Sequence, residues 1–148
     1  MKAMVVYTSM TGNDEEIAKI VTRELEKNKV DTQIQEMEFV DADEFNDLDI
    51  LVVASYTYDD GEVPDGAMDL YEDLTEAKFP NLVYGVCGSG DTFYEDFCSA
   101  VDNFGDKLSN TGAREGAKSV KIELFPEDKD VERLIQFTND ILASANRN

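Results

Sequence analysis

Ser9, Thr11 and Asn13 stand around Gly12 directly after an apolar run, and they bring hydroxyl and amide groups to a point where a helix should begin. A glycine there lets the backbone turn tightly enough for successive N–H groups to converge on one anion, with the positive end of a helix dipole behind them. The chemistry this supports is capture of a phosphate by neutral donors. No Lys or Arg lies between Lys2 and Lys19, so the lysine that reaches the outer phosphates in a Walker loop is missing. A single phosphomonoester suits such a cradle better than a phosphate chain that requires magnesium. The same residues also suit plain capping of a helix with no ligand present.

Two more segments are unusual for their surroundings: Ser55-Tyr56-Thr57-Tyr58-Asp59-Asp60-Gly61-Glu62 and Gly88-Ser89-Gly90-Asp91-Thr92-Phe93-Tyr94. Tyr56, Tyr58 and Tyr94 sit among Gly, Ser, Thr and Asp, where no core awaits an aromatic side chain. Aromatics on two loops beside an anion cradle can sandwich a planar ring, each gaining roughly 0.5–1.5 kcal/mol beyond the area it buries. The glycines at 61, 88 and 90 would admit backbone groups to the edge of that ring. The competing reading is that the tyrosines only cover loop backbone.

These loops need elements to hold them. Apolar runs at 3–7, 50–54 and 82–87 are short, continuous and rich in β-branched residues, as in parallel strands buried on both faces. The alternating segments 32–37 and 119–125 read as two further strands with an exposed face. Between them lie helical stripes: Ile17, Ile20, Val21 and Leu25; then Phe97, Val101, Phe104 and Leu108; then Val131, Leu134, Ile135, Ile141 and Leu142. Strands alternating with helices predict an α/β sandwich, with ligands bound beyond the carboxyl ends of the strands. Pro64, Pro80 and Pro126 fall outside these elements, and neither repeat nor linker divides the 148 residues, so residues 1–148 are expected to form a single domain.

Composition removes several functions. Thirty-three acidic residues against 13 basic ones leave a net charge of −20, which repels nucleic acid and anionic membranes. With no histidine, Ser/His/Asp and Cys/His catalysis and His-ligated metals are excluded. Cys87 and Cys98 lack CxxC spacing and read as reduced, buried thiols. No apolar stretch reaches the roughly 20 residues of a membrane span or the length of a secretory signal, so a cytoplasmic location is expected. At 42% apolar residues, with six tyrosines and eight phenylalanines, the chain still has a core to build.

A planar ring joined to one phosphate describes flavin mononucleotide, and here the chain resembles the flavodoxin family, short-chain type, over nearly its full length. The family's phosphate signature, Ser/Thr-x-Thr-Gly-x-Thr, is similar to Ser9-Met10-Thr11-Gly12-Asn13 and departs from it at Asp14. Its flavin loops resemble Thr57-Tyr58-Asp59-Asp60-Gly61 and the stretch from Gly88 to Cys98. The resemblance implies a three-layer sandwich around a five-stranded parallel sheet with helices on both faces. The order 2-1-3-4-5, with FMN at the switch between strands one and three, is the known arrangement of flavodoxins and is implied by the resemblance alone. The resemblance further implies that Ser9, Met10, Thr11, Gly12, Asn13 and Asp14 hold the phosphate and that Tyr58 and Tyr94 stack on the ring. Backbone at Thr57, Asp59, Ser89, Gly90 and Asp91 would meet the ring edge, with Tyr56 and Phe97 as peripheral contacts. Asp59 stands where the family often has the glycine of a peptide that flips on reduction. A carboxylate at Asp14 repels a phosphate dianion, so it is expected either to turn outward or to weaken FMN binding.

The function implied is a low-potential one-electron carrier that shuttles between a flavin-containing reductase and acceptor enzymes, a monomer without substrate turnover of its own. A carboxylate ~10 Å from the ring, at an effective dielectric of ~40, opposes the second electron by roughly 0.8 kcal/mol. Six such groups amount to about 5 kcal/mol, or roughly 200 mV before salt screening. Asp59, Asp60, Glu62, Asp65, Asp91, Glu95 and Asp96 crowd the proposed site and offer an anionic face to basic redox partners, unless they are merely solvated loop charges. Two alternatives keep the FMN: an NAD(P)H oxidoreductase, and a dedicated flavoprotein activator of a metalloenzyme. A phosphoryl-accepting receiver of the same fold class needs acids where Thr8-Ser9 and Ala54-Ser55 stand.

Overall fold

The computed structural model describes residues 1–8, 12–57, 63–91 and 98–147. Chain order runs β1 (Lys2–Thr8), α1 (Asn13–Lys27), β2 (Asp31–Glu36), two short 3-10 turns at Met37–Phe39 and Ala42–Asp47, and β3 (Ile50–Ser55). It continues through α2 (Asp65–Asp73), β4 (Val83–Gly90), α3 (Ser99–Asn110), β5 (Arg114–Glu115), β6 (Val120–Glu123) and α4 (Asp128–Ala145).

The continuous apolar runs became the inner strands because both sides of each are covered. Along β3, Leu51 and Val53 face one core while Ile50, Val52 and Ala54 face the other. The first core is closed by α2 and α3 through Leu70, Val101, Phe104 and Leu108. The second is closed by α1 and α4 through Ile17, Val21, Leu25, Leu134, Phe137 and Ile141. Each such side chain, removed from water, stabilises by about 1.5–3 kcal/mol, which is why an α1 with three acids in its first turn still docks.

All strand pairs are parallel, in the order β2-β1-β3-β4-β5, with β6 also on β4. The fifth position is therefore filled twice. Arg114–Glu115 pairs with Val83–Tyr84 at the start of β4, and Val120–Glu123 with Cys87–Gly90 at its end. Only the second piece is announced by alternation. One helix also lacks a strong signal: α2 buries Ala67 and Leu70, a sparse stripe among Asp65, Asp69, Glu72 and Asp73. Among the described residues, no helix is long and apolar enough to cross a membrane.

Candidate functional site

The sheet order reverses between β1 and β3, and the strands deliver Thr8, Ser55 and Gly90 to one carboxyl edge. At that edge α1 begins. Its N-cap is Gly12, at φ 89°, a left-handed conformation that costs a residue with a side chain roughly 1–2 kcal/mol. Among the described residues, a Cβ there would meet nothing within 4 Å. Asn13 lies inside the helix, and the cap itself has no side chain. Ser9, Met10 and Thr11 lie outside the described residues.

Asp14, the second residue of α1, does not turn outward as the sequence allowed. Its side chain is fully buried and faces β4, where Ser89 donates its backbone N–H to Oδ1 at 3.0 Å and its hydroxyl to Oδ2 at 2.5 Å. The reason is the path of α1, which packs across β3 onto β4 as well as β1. Burial raises the Asp14 carboxyl to about 7, with the Ser89 bonds pulling in the other direction. Among the described residues no cation pairs with it.

Ser89 is thereby given a role that sequence spacing hides, since its N–H and hydroxyl are both directed to Asp14. Gly88 is likewise used by the protein itself: a Cβ there would lie 1.9 Å from the Ser55 carbonyl oxygen. The ends of β3 and β4 reach that closeness only without a side chain. Gly90 ends β4 and accepts the N–H of Leu124 on its carbonyl at 2.9 Å, and Asp91 follows half-exposed.

The loop after β3 is anchored at its root. Thr57 Oγ1 accepts the N–H of Ala100, in the first turn of α3, at 3.0 Å. Tyr56 borders a cleft of about 170 Å³ with Tyr7, Thr8, Glu36, Met37, Glu38 and Gly66, at the carboxyl ends of β1 and β2 beside the first turn of α2. Tyr58, Asp59, Tyr94 and Phe97, the other flavin-loop residues expected from sequence, lie outside the described residues. So do Asp60, Gly61, Glu62, Glu95 and Asp96.

Both cysteines are buried and free. Cys87 belongs to the core under α1 and α4, and Cys98 to the core under α2 and α3. Burial pushes the Cys87 thiol well up and the Cys98 thiol to about 12, so neither is a nucleophile at neutral pH. Among the described residues, no group of three or more Cys, Asp and Glu side chains is placed to hold a metal ion.

The family model described as Flavodoxin matches residues 5–137. The chain is 39% identical over 137 residues to "Probable flavodoxin 2" of Bacillus subtilis (strain 168), covering 92% of this chain and 91% of that one. It superposes with a TM-score of 0.96 and 44% identity on a short-chain flavodoxin associated with a non-canonical PDU bacterial microcompartment, over 98% and 99% of the two chains. It is also 34% identical over 121 residues to the sulfite reductase [NADPH] flavoprotein alpha-component of Vibrio vulnificus (strain CMCP6). That match takes in 76% of this chain and 19% of the relative.

Proposed function

This chain belongs to the flavodoxin family, whose members bind FMN and transfer electrons, and we propose that it acts as a low-potential one-electron carrier between a flavin-containing reductase and acceptor enzymes. The observation that carries this reading is Gly12. It opens α1 in a left-handed turn at the carboxyl end of β1, beside the reversal of strand order, and no described residue would lie within 4 Å of a Cβ there.

The donors suit the cofactor. A helix N-terminus with no lysine between Lys2 and Lys19 matches one phosphomonoester held by N–H groups and dipole. Residues Ser9, Met10, Thr11, Gly12, Asn13 and Asp14 form the phosphate-binding turn. Tyr58 and Tyr94 would stack on the ring, Thr57, Asp59, Ser89, Gly90 and Asp91 would border its edge, and Tyr56 and Phe97 would be peripheral contacts. Bound FMN supplies the one-electron redox chemistry. The chain's own residues bind the phosphate, hold the loops at their roots and surround the site with negative charge.

That charge selects the partners. A net −20 favours redox proteins with basic faces and disfavours nucleic acid and membranes. The similarity to part of an NADPH-dependent sulfite reductase flavoprotein supports a reductase as one class of partner. The protein works as a monomeric single domain without substrate turnover. Its free, buried thiols suit the cytoplasm.

The test is stepwise reduction of the purified protein loaded with FMN, followed by its visible spectrum. Two resolved one-electron steps, a second potential well below that of free FMN and no direct oxidation of NAD(P)H are expected. Absence of any FMN-induced thermal shift overturns the reading, and rapid NAD(P)H oxidation replaces it with an oxidoreductase.

A further inference from the structure

We propose that Asp14 is a positioning residue that ties the phosphate-binding turn of α1 to the ring-edge loop through Ser89, and that capture of the FMN phosphate is linked to uptake of one proton by its carboxyl. The inference rests on the FMN-carrier reading above and names how that site is regulated.

Geometry carries it. Asp14 lies in the turn whose backbone N–H groups are assigned to the phosphate, yet its side chain leaves that turn and is buried against β4. Both of its oxygens are used by Ser89, 75 residues away, near the end of β4 and just before the loop assigned to the ring. Phosphate site and ring site therefore share one buried acid.

Among the described residues, the groups that face Asp14 leave it as the one that changes charge. From β4 comes the Cys87 thiol, and from the residue preceding α3 comes the Cys98 thiol; both are raised by burial and stay neutral near pH 7. Lys121 of β6, the cation nearest to Cys98 in effect, is paired with Asp102 at 2.8 Å. On α1 itself, Glu15 accepts from the Tyr7 hydroxyl at 3.4 Å and Glu16 pairs with Arg23 at 3.7 Å, both at half-exposed positions. With no counter-cation among the described residues, the buried Asp14 carboxyl is divided between acid and carboxylate near neutrality.

A phosphate dianion arriving at the same turn adds a like charge, and like charges favour the neutral acid. The proton comes from solvent, and one is taken up per carboxylate neutralised. Reciprocity then requires that protonation strengthen FMN binding by the factor by which FMN strengthens proton binding. The latch to Ser89 survives: the acid still accepts the Ser89 N–H, and its O–H can donate to the serine hydroxyl oxygen.

The test measures FMN and riboflavin binding to the apo full-length chain between pH 6 and pH 8, in the original protein and in Asp14→Asn. FMN affinity is expected to fall about tenfold more over this range in the original protein than in the variant, a comparison that also cancels the titration of FMN's own phosphate. Riboflavin, which has no phosphate, is expected to show the same pH profile in both. Net proton uptake on FMN binding near pH 7.5, absent with riboflavin, is a second readout that needs no variant. Parallel FMN profiles in the two proteins, or no proton uptake, overturn the inference while leaving FMN binding intact. Failure of the original protein to bind FMN at any pH overturns the carrier reading instead.

Discussion

Thr57, in the loop after β3, accepts the backbone N–H of Ala100, in the first turn of α3, through its hydroxyl oxygen at 3.0 Å. A helix N-terminus is thus capped by a residue 43 positions earlier in the chain. The loop after β3 and the segment that follows β4 are joined at their roots. Replacing Thr57 by Val keeps the shape and removes the acceptor. Loss of such a cap costs about 1 kcal/mol, so denaturant unfolding of Thr57→Val should show a destabilisation of that size together with weaker FMN binding. Unchanged stability would mean that water replaces the bond without penalty.

Burial of Asp14 makes stability depend on pH in a definite direction. The native carboxyl titrates at about 7 against an ordinary 3.8, so the folded state holds the proton more tightly. The contribution is fully present below pH 4 and is lost as pH rises through 7. Its size is on the order of 4 kcal/mol, the free-energy equivalent of that rise. Urea unfolding of the apo protein and of Asp14→Asn should therefore diverge in slope between pH 4 and pH 7, the variant losing less. Identical slopes would show that the carboxyl is not desolvated in solution.

Gly88→Ala places a methyl group where the Ser55 carbonyl oxygen stands, 1.9 Å away, and 2.9 Å from Val101 Cγ2. Neither the carbonyl nor the strand that carries it can yield cheaply. A loss of about 3 kcal/mol or more is expected. Thermal unfolding measures it, and a change in Tm under about 3 °C would contradict the close approach.

Gly12→Ala separates backbone strain from crowding, because the new methyl meets none of the described residues within 4 Å while φ stands at 89°. The expected cost is about 1–2 kcal/mol of stability. If the residue instead relaxes out of the left-handed region, the N–H groups of the turn shift, and FMN affinity falls with little change in stability. Calorimetry of unfolding and of FMN binding, run on the same variant, distinguishes the two.

In the proposed carrier, negative charge at the carboxyl edge would lower the second potential. Asp65 is exposed at the start of α2. If it acts at ~10 Å and an effective dielectric of ~40, Asp65→Asn should raise that potential by about 35 mV at low salt. The difference should shrink as ionic strength rises. An effect independent of salt would point to an altered contact instead of a field.

How much was legible in the sequence follows from the range of each interaction. The inner strands could be read because β1, β3 and β4 are buried on both faces, so nearly every residue in them is apolar. The start of α1 could be read because its signal is local: a glycine stands directly before the helix, and Gly12 is its N-cap. The two-residue strand Arg114–Glu115 could not, since both residues are exposed and only pairing with β4 defines them. Helix α2 was hidden by its acids, because Ala67 and Leu70 alone make the buried stripe within it.

By itself the sequence determined the alternation of strands and helices, the net negative charge and the absence of histidine chemistry, because each is a property of composition or of neighbours along the chain. Tertiary structure alone decided which of 33 acids would leave water. An aspartate is buried only if its helix crosses toward a partner strand, and no local pattern records that Ser89 will be there to receive Asp14. Likewise, only the packing of β3 against β4 shows that Gly88 is needed by the Ser55 carbonyl, since a close approach belongs to two distant backbones and to neither sequence segment alone.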